Sequence, residues 1–146
     1  MGYTKIVVAV DLGDDAKKVL SKAINLLKSP TDQLHLIHVI EPIPISPGYD
    51  LTPALPLEWD DILRERAEDF LKQLIKEIGK DNIKMHVRIG SVKGEIFSMA
   101  SEVGADLIVL GTHGRHGIGL LLGSTATAVI HGTPCDVLAV RVNEST

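Results

Sequence analysis

Five short apolar runs, separated by four stretches with helical spacing, constrain the fold of this chain more than any other feature. The first run, residues 5–11, is rich in β-branched residues, and its apolar positions are continuous rather than alternating. Continuous apolar runs are typical of parallel strands that are covered on both faces. Because helices join the strands of parallel sheets, the alternation predicts a doubly wound α/β fold.

The predicted elements follow one another along the whole chain. We predict strands at residues 5–11, 34–40, 83–89, 106–110 and 137–142, and helices at 14–27, 59–79, 92–103 and 124–131. The segment between Glu41 and Pro56 holds five of the seven prolines and is predicted to be an extended surface loop.

Length and composition limit the class of protein. A chain of 146 residues with 45% apolar residues fits one domain over residues 1–146. No apolar run approaches the roughly 20 residues that span a bilayer, so we expect a cytoplasmic protein without membrane contact. A net charge of −4 argues against nucleic acid as a partner. The single cysteine, Cys135, has no partner for an internal disulfide.

The carboxyl ends of the strands are where a site is expected. In open parallel sheets, ligands bind beyond these ends, where the strand order reverses. The residues to consider are therefore 11–13, Glu41, Gly90 and the long segment that follows Leu110. Asp11 could accept a ribose hydroxyl or help to hold a metal ion with phosphate oxygens, and it could equally cap the first helix.

The segment from Gly111 to Thr125 joins a strand to a helix and is rich in glycine. Free amides at Gly123, Ser124 and Thr125 would lie at a helix N-terminus, which favours an anion, and Arg115 could add a charged contact. The alternative is that the glycines only shape the turn, while Ser124 caps its helix. The residues alone support the two interpretations about equally.

Five segments together resemble one known family. They are IVVAVDLGDDA, LHLIHVIEP, ADLIVLGTHGRHG, LLGSTA and PCDVLAVRV, and in this order they resemble the universal stress proteins over nearly the whole chain. The resemblance implies a Rossmann-like fold of the adenine nucleotide α-hydrolase type, with five parallel strands in the order 3-2-1-4-5.

The nucleotide-binding branch of that family carries the motif Gly-x2-Gly-x9-Gly-Ser/Thr. Gly111, Gly114, Gly123 and Ser124 are the matching positions, with eight residues between Gly114 and Gly123 instead of nine. The resemblance implies binding of ATP or another adenine nucleotide, with magnesium held at Asp11 through the nucleotide. The implied contacts are Ala9, Val10, Asp11, Val39, Gly111, His113, Gly114, Arg115, Gly123, Ser124 and Thr125.

The histidines and the cysteine are assigned no chemistry. His35 and His38 lie three residues apart on a strand, so their side chains point to opposite faces, and we interpret both as structural. His113 and His116 are interpreted as solvated loop residues. Cys135 is interpreted as a small buried thiol.

The last strand, Val137 to Val142, is predicted to lie at an edge of the sheet. An apolar edge strand invites pairing with a second chain, and members of the resembled family are typically dimers through this strand. A homodimer is therefore expected. The alternative is an edge covered by the C-terminal residues.

Three functions remain open at this stage. The preferred one is a nucleotide-binding signalling module with little or no catalysis and an unknown protein partner. The second is a weak magnesium-dependent ATPase or phosphotransferase. The third is a dimerisation module that binds no nucleotide, which the shortened glycine segment would favour.

Overall fold

The computed structural model describes residues 2–42, 57–112 and 124–142. Strands and helices alternate along the described residues. The elements are β1 (Lys5–Ala9), α1 (Ala16–Asn25), β2 (Gln33–Ile40), α2 (Leu57–Ile78), β3 (Ile83–Ile89), α3 (Val92–Val103), β4 (Leu107–Gly111), α4 (Ser124–Ile130) and β5 (Asp136–Val140).

All five strands form one parallel sheet in the order β3-β2-β1-β4-β5. The central strand is β1, in which Val7 lies opposite His35 on one side and Ile108 on the other. The strand order reverses between β1 and β4, since the chain adds strands first on one side of β1 and then on the other. The predicted fold class and strand order are confirmed.

Each face of the sheet is covered by two helices and has its own buried core. Helices α1 and α2 pack on the first face, where the residues in the first core cluster include Ile6, Val8, Leu20, Leu36, Leu71 and Val109. Helices α3 and α4 pack on the second face, where the second core cluster includes Val7, Ile37, Ile96, Met99, Ile108 and Val129. Because β1 is buried from both sides, its continuous apolar run is explained.

Several element boundaries differ from the prediction by a few residues. The first strand ends at Ala9 instead of residue 11, since the Val10 carbonyl accepts a hydrogen bond from the His38 side chain of β2 rather than from a backbone amide of that strand. The first helix ends at Asn25 because Leu27 instead forms a β-bridge with Tyr3. The last strand lies at Asp136–Val140, which places it at the sheet edge as predicted but shifted toward the N-terminus.

At the amino end of the sheet, Asp106 joins the starts of β1 and β4. Its Oδ1 atom accepts a hydrogen bond from the Lys5 amide at 3.0 Å. Its Oδ2 atom accepts from the Thr4 amide at 3.0 Å and from the Thr4 hydroxyl at 3.2 Å. Burial alone would raise the pKa of Asp106, but these hydrogen bonds favour the charged form and lower it.

The outer edge of β3 is occupied by charged side chains. Arg64 of α2 donates a hydrogen bond to the Val87 carbonyl at 2.8 Å. Arg88 donates to both carboxylate oxygens of Glu102, at 2.6 and 3.2 Å. Charged residues on an edge strand oppose pairing with another strand.

A pair of histidines lies on the sheet between β2 and β3. His35 Nδ1 and His86 Nε2 are 3.0 Å apart, so one of these nitrogens donates a hydrogen bond to the other. The two rings are stacked at a centroid distance of 5.2 Å. Burial, followed by the charges of His86, Lys84 and Lys5, lowers the pKa of His35. Burial and the Arg88 charge likewise lower the pKa of His86.

We expect this pair to make the protein sensitive to acid. Because both folded pKa values lie below the unfolded value of about 6.5, the unfolded chain binds more protons as the pH falls through that value. The contribution to stability is therefore complete above about pH 6.5 and is lost as the pH falls toward the folded pKa values. Urea unfolding at a series of pH values measures how the free energy of unfolding changes with pH.

The matched variants are His86→Gln and His131→Gln, the second of which changes an exposed histidine. His86→Gln should flatten the loss of unfolding free energy below pH 6.5, whereas His131→Gln should leave it as in the wild type. Identical slopes in all three proteins would show that the pair does not set the acid response.

Among the helices of residues 2–42, 57–112 and 124–142, none combines the length and the apolar character needed to cross a membrane.

Candidate functional site

A cleft of about 140 Å³ opens at the carboxyl ends of β1, β2 and β4, where the strand order reverses. This is the place at which open parallel sheets bind their ligands. Its lining comes from three strands and three helices: Ala9, Val10, Asp11, Leu12, Gly13, Asp15, Ala16, Val19, Ile37, Val39, Val92, Ile96, Leu110, Gly111, Ala126 and Val142.

The end of β1 forms one wall, and neighbouring residues of β2 hold it in place. The Val10 amide donates to the Ile37 carbonyl at 3.0 Å, which extends the parallel ladder by one bond. The Val10 carbonyl accepts a hydrogen bond from His38 Nδ1 at 2.8 Å. Val10 is buried, whereas Asp11, the next residue, is exposed at the mouth of the cleft.

The first turn of α1 forms a second wall. Its N-cap residue is Asp15, whose side chain makes no capping hydrogen bond, and Ala16 donates its amide to the Gly13 carbonyl at 3.2 Å. The alternative interpretation of Asp11 as the helix cap is therefore wrong. The positive end of the α1 dipole lies beside the cleft, where it favours a negative group.

Helices α3 and α4 close the opposite side. The Ser91 side chain caps α3 by accepting a hydrogen bond from the Gly94 amide at 3.0 Å, which fixes where this helix begins. Val92 and Ile96, one turn apart on α3, then face the cleft together with Ala126 of α4. The result is an apolar floor with carboxylates near its rim.

The structure brings together some of the sequence-predicted site residues. Ala9, Val10, Asp11, Val39 and Gly111 all line the cleft. The backbones of Ser124 and Thr125 form the start of α4, as predicted. His113, Gly114, Arg115 and Gly123, together with His116, lie outside the described residues.

The sequence prediction missed the apolar floor of the cleft. Ile37, Val92, Ile96, Leu110 and Ala126 belong to buried stripes, and nothing in their spacing separates a cleft wall from ordinary core. The helical spacing of Val92 and Ile96, directly after the strand that ends at Ile89, was the one signal that could have located part of it.

The remaining candidates lie away from the cleft lining. His35 makes its hydrogen bond to His86, and His38 makes its hydrogen bond to Val10. Cys135 is half-buried rather than fully buried, and burial raises the pKa of its thiol. A raised pKa keeps the thiol protonated and therefore unreactive.

Chemically, the cleft combines an apolar interior with oxygen acceptors at its mouth. Asp11 and Asp15 are the carboxylate residues that line it within the described parts of the chain. Carboxylates in this position can accept hydrogen bonds from hydroxyl groups, and they can join phosphate oxygens in holding a magnesium ion. The apolar walls suit a planar ring.

The fold and the cleft define a doubly wound α/β protein with a cleft at the switch point, the place where the strand order of the sheet reverses. The sequence model described as "Universal stress protein family" matches residues 2–141. The chain therefore belongs to the universal stress protein family, as the resemblance implied.

Similar proteins match this chain over nearly its whole length. Universal stress protein A homolog 2 of Coxiella burnetii is 40% identical over 144 residues, which cover 98% of each chain. The structure of the universal stress protein UspA from Lactobacillus plantarum has 27% identity and a TM-score of 0.74, covering 97% of this chain and 99% of that one. A universal stress protein solved in complex with cAMP has 27% identity and a TM-score of 0.60, covering 96% of this chain and 98% of that one.

Proposed function

We propose that this universal stress protein binds an adenine nucleotide, with ATP as the expected form, in the cleft at the switch point. The observation that carries the proposal is the meeting of an apolar interior, the Asp11 carboxylate and the start of α1 in one cleft. The similar protein that was solved with cAMP supports an adenine nucleotide as the class of ligand.

The lining suggests how each part of the nucleotide is held. The adenine ring would lie against Val39 and Val10, both of which are buried. The Asp11 carboxylate, at the mouth of the cleft, would accept hydrogen bonds from the ribose hydroxyls. The phosphates would extend along Gly111 toward the start of α4, where backbone amides favour an anion.

The proposed role is signalling by occupancy, with little or no turnover. The sequence contains no Gly-Lys-Ser/Thr of a P-loop, whose lysine reaches the phosphates in P-loop nucleotide hydrolases. A magnesium ion would enter with the phosphates and be held in part by Asp11.

We further propose that the protein is a cytoplasmic homodimer that pairs through β5. The strand lies at the sheet edge, and its Val137 and Leu138 side chains are partly buried. At the opposite edge, the Val87 carbonyl already accepts a hydrogen bond from Arg64. The β5 edge is therefore better suited to pairing with a second chain.

Isothermal titration of refolded, nucleotide-free protein with ATP and magnesium tests the binding proposal. We expect saturable heat in the wild type and about tenfold weaker binding in Asp11→Ala, because a hydrogen bond to a charged acceptor is lost. Phosphate release, measured on the same samples, should stay at the background rate.

The matched control is Asp14→Ala, which removes the same charge from an exposed residue near the start of α1 that does not line the cleft. It should bind ATP as the wild type does. Absence of heat in the wild type, together with an unchanged melting temperature at high ATP, would contradict the proposal and favour a dimerisation module without nucleotide.

A further inference from the structure

We infer that His38 is a positioning residue for the nucleotide site, acting through the peptide that joins Val10 to Asp11. This inference rests on the proposed function, because it assigns a role within the same cleft. His38 does not line the cleft, and its contact is with the backbone of a residue that does.

The hydrogen bond defines the protonation of the ring. His38 Nδ1 lies 2.8 Å from the Val10 carbonyl oxygen. A carbonyl oxygen can only accept, so Nδ1 must carry the proton and donate it. The neutral ring is therefore the tautomer with hydrogen on Nδ1.

The bond matters because Val10 lies just beyond the regular ladder. β1 ends at Ala9, and Val10 keeps one ladder bond, from its amide to the Ile37 carbonyl at 3.0 Å. Among the residues that the structure describes, the donor bonded to the Val10 carbonyl is His38. Consecutive residues of β2 therefore fix both polar groups of Val10.

Fixing the Val10 carbonyl also fixes the next residue. The peptide between Val10 and Asp11 is trans and planar, so the Asp11 N–H points opposite to the carbonyl and away from His38. No acceptor for this N–H occurs among residues 2–42, 57–112 and 124–142. The orientation of this donor and the position of the Asp11 Cα atom are thus set by the imidazole together with the Ile37 carbonyl, which hold the two polar groups of Val10.

Two substitutions of similar shape separate the effect of the hydrogen-bond donor from the effect of side-chain volume. In His38→Asn, the amide nitrogen occupies the same branch position as Nδ1 and can donate, whereas His38→Leu has no donor there. We expect ATP to bind His38→Leu about tenfold more weakly than the wild type and His38→Asn within about threefold of it. Isothermal titration measures both affinities.

A double-mutant cycle with Asp11→Ala distinguishes positioning from a general effect on the fold. If His38 acts through Asp11, then adding His38→Leu to Asp11→Ala should weaken binding by much less than tenfold. His35→Asn is the control, since it changes a more deeply buried histidine of the same strand that is not part of the cleft. It should lower the melting temperature and leave ATP affinity unchanged.

Each other outcome has a definite meaning. Equal affinities of His38→Leu and the wild type would overturn the inference while leaving nucleotide binding in place. Additive losses in the double mutant, or a matching loss of affinity in His35→Asn, would show a merely structural role and also overturn it. A wild type that binds no ATP would overturn the proposed function and this inference with it. Nitrogen-15 spectra that place the His38 proton on Nε2 would overturn the inference alone.

Discussion

Replacing Ile37 by alanine should lower the free energy of unfolding by about 2–5 kcal/mol. Ile37 has no solvent exposure and belongs to the second core cluster, in a strand that is paired on both sides. The substitution removes buried methyl and methylene groups, and the paired strands limit how far the neighbours can collapse into the space. Urea denaturation followed by circular dichroism measures the loss.

The matched variant for this position is Ile37→Val, which removes a single methylene and should cost about 0.5–1.5 kcal/mol. In both variants, the free energy of unfolding should fall with urea concentration as steeply as in the wild type, because the surface exposed on unfolding hardly changes. If Ile37→Ala cost no more than Ile37→Val, the tight packing of the second core cluster would be refuted.

Replacing Asp106 by alanine should lower the free energy of unfolding by about 2 kcal/mol, because the Thr4 and Lys5 amides lose a charged acceptor. Asp106→Asn keeps an acceptor oxygen but loses the charge, so it should have an intermediate stability. The same urea experiment at pH 7 ranks the three proteins.

Acid should abolish the stability advantage of the wild type over Asp106→Asn. The folded pKa of Asp106 lies below its ordinary value, so the charge stabilises the fold fully above about pH 5. This contribution is lost as the pH falls from about 4 through the folded pKa. A stability difference between wild type and Asp106→Asn that persists unchanged at pH 2 would show that the charge is not responsible.

The fold was predictable because a strand that is buried on both faces carries a continuous run of apolar residues. The predicted bounds of β3 and α3 are those of the structure, since Gly90 and Gly104 end these elements at positive φ angles of 156° and 66°. The end of β1 was not predictable from periodicity. Val10 continues the apolar run, and the hydrogen bond that its carbonyl accepts from the His38 ring, 28 residues away in the sequence, shows where the regular ladder stops.

The position of the cleft was predictable, but most of its lining was not. Parallel topology places Asp11 and Gly111 at the same end of the sheet, and both line the cleft. The floor depends on how α3 and α4 lie across the sheet, which brings Ile96 and Ala126 to one cavity from positions 30 residues apart. Sequence spacing carries no information about such a meeting of two helices.

The walls of the cleft come from both sides of the sheet. Val19 and Val142 belong to the first core cluster, while Ile37 and Leu110 belong to the second. Because the cavity is where the two hydrophobic layers meet, a substitution in either layer changes both the stability of the fold and the shape of the cleft. Under the proposed function, core packing and ligand preference are therefore coupled.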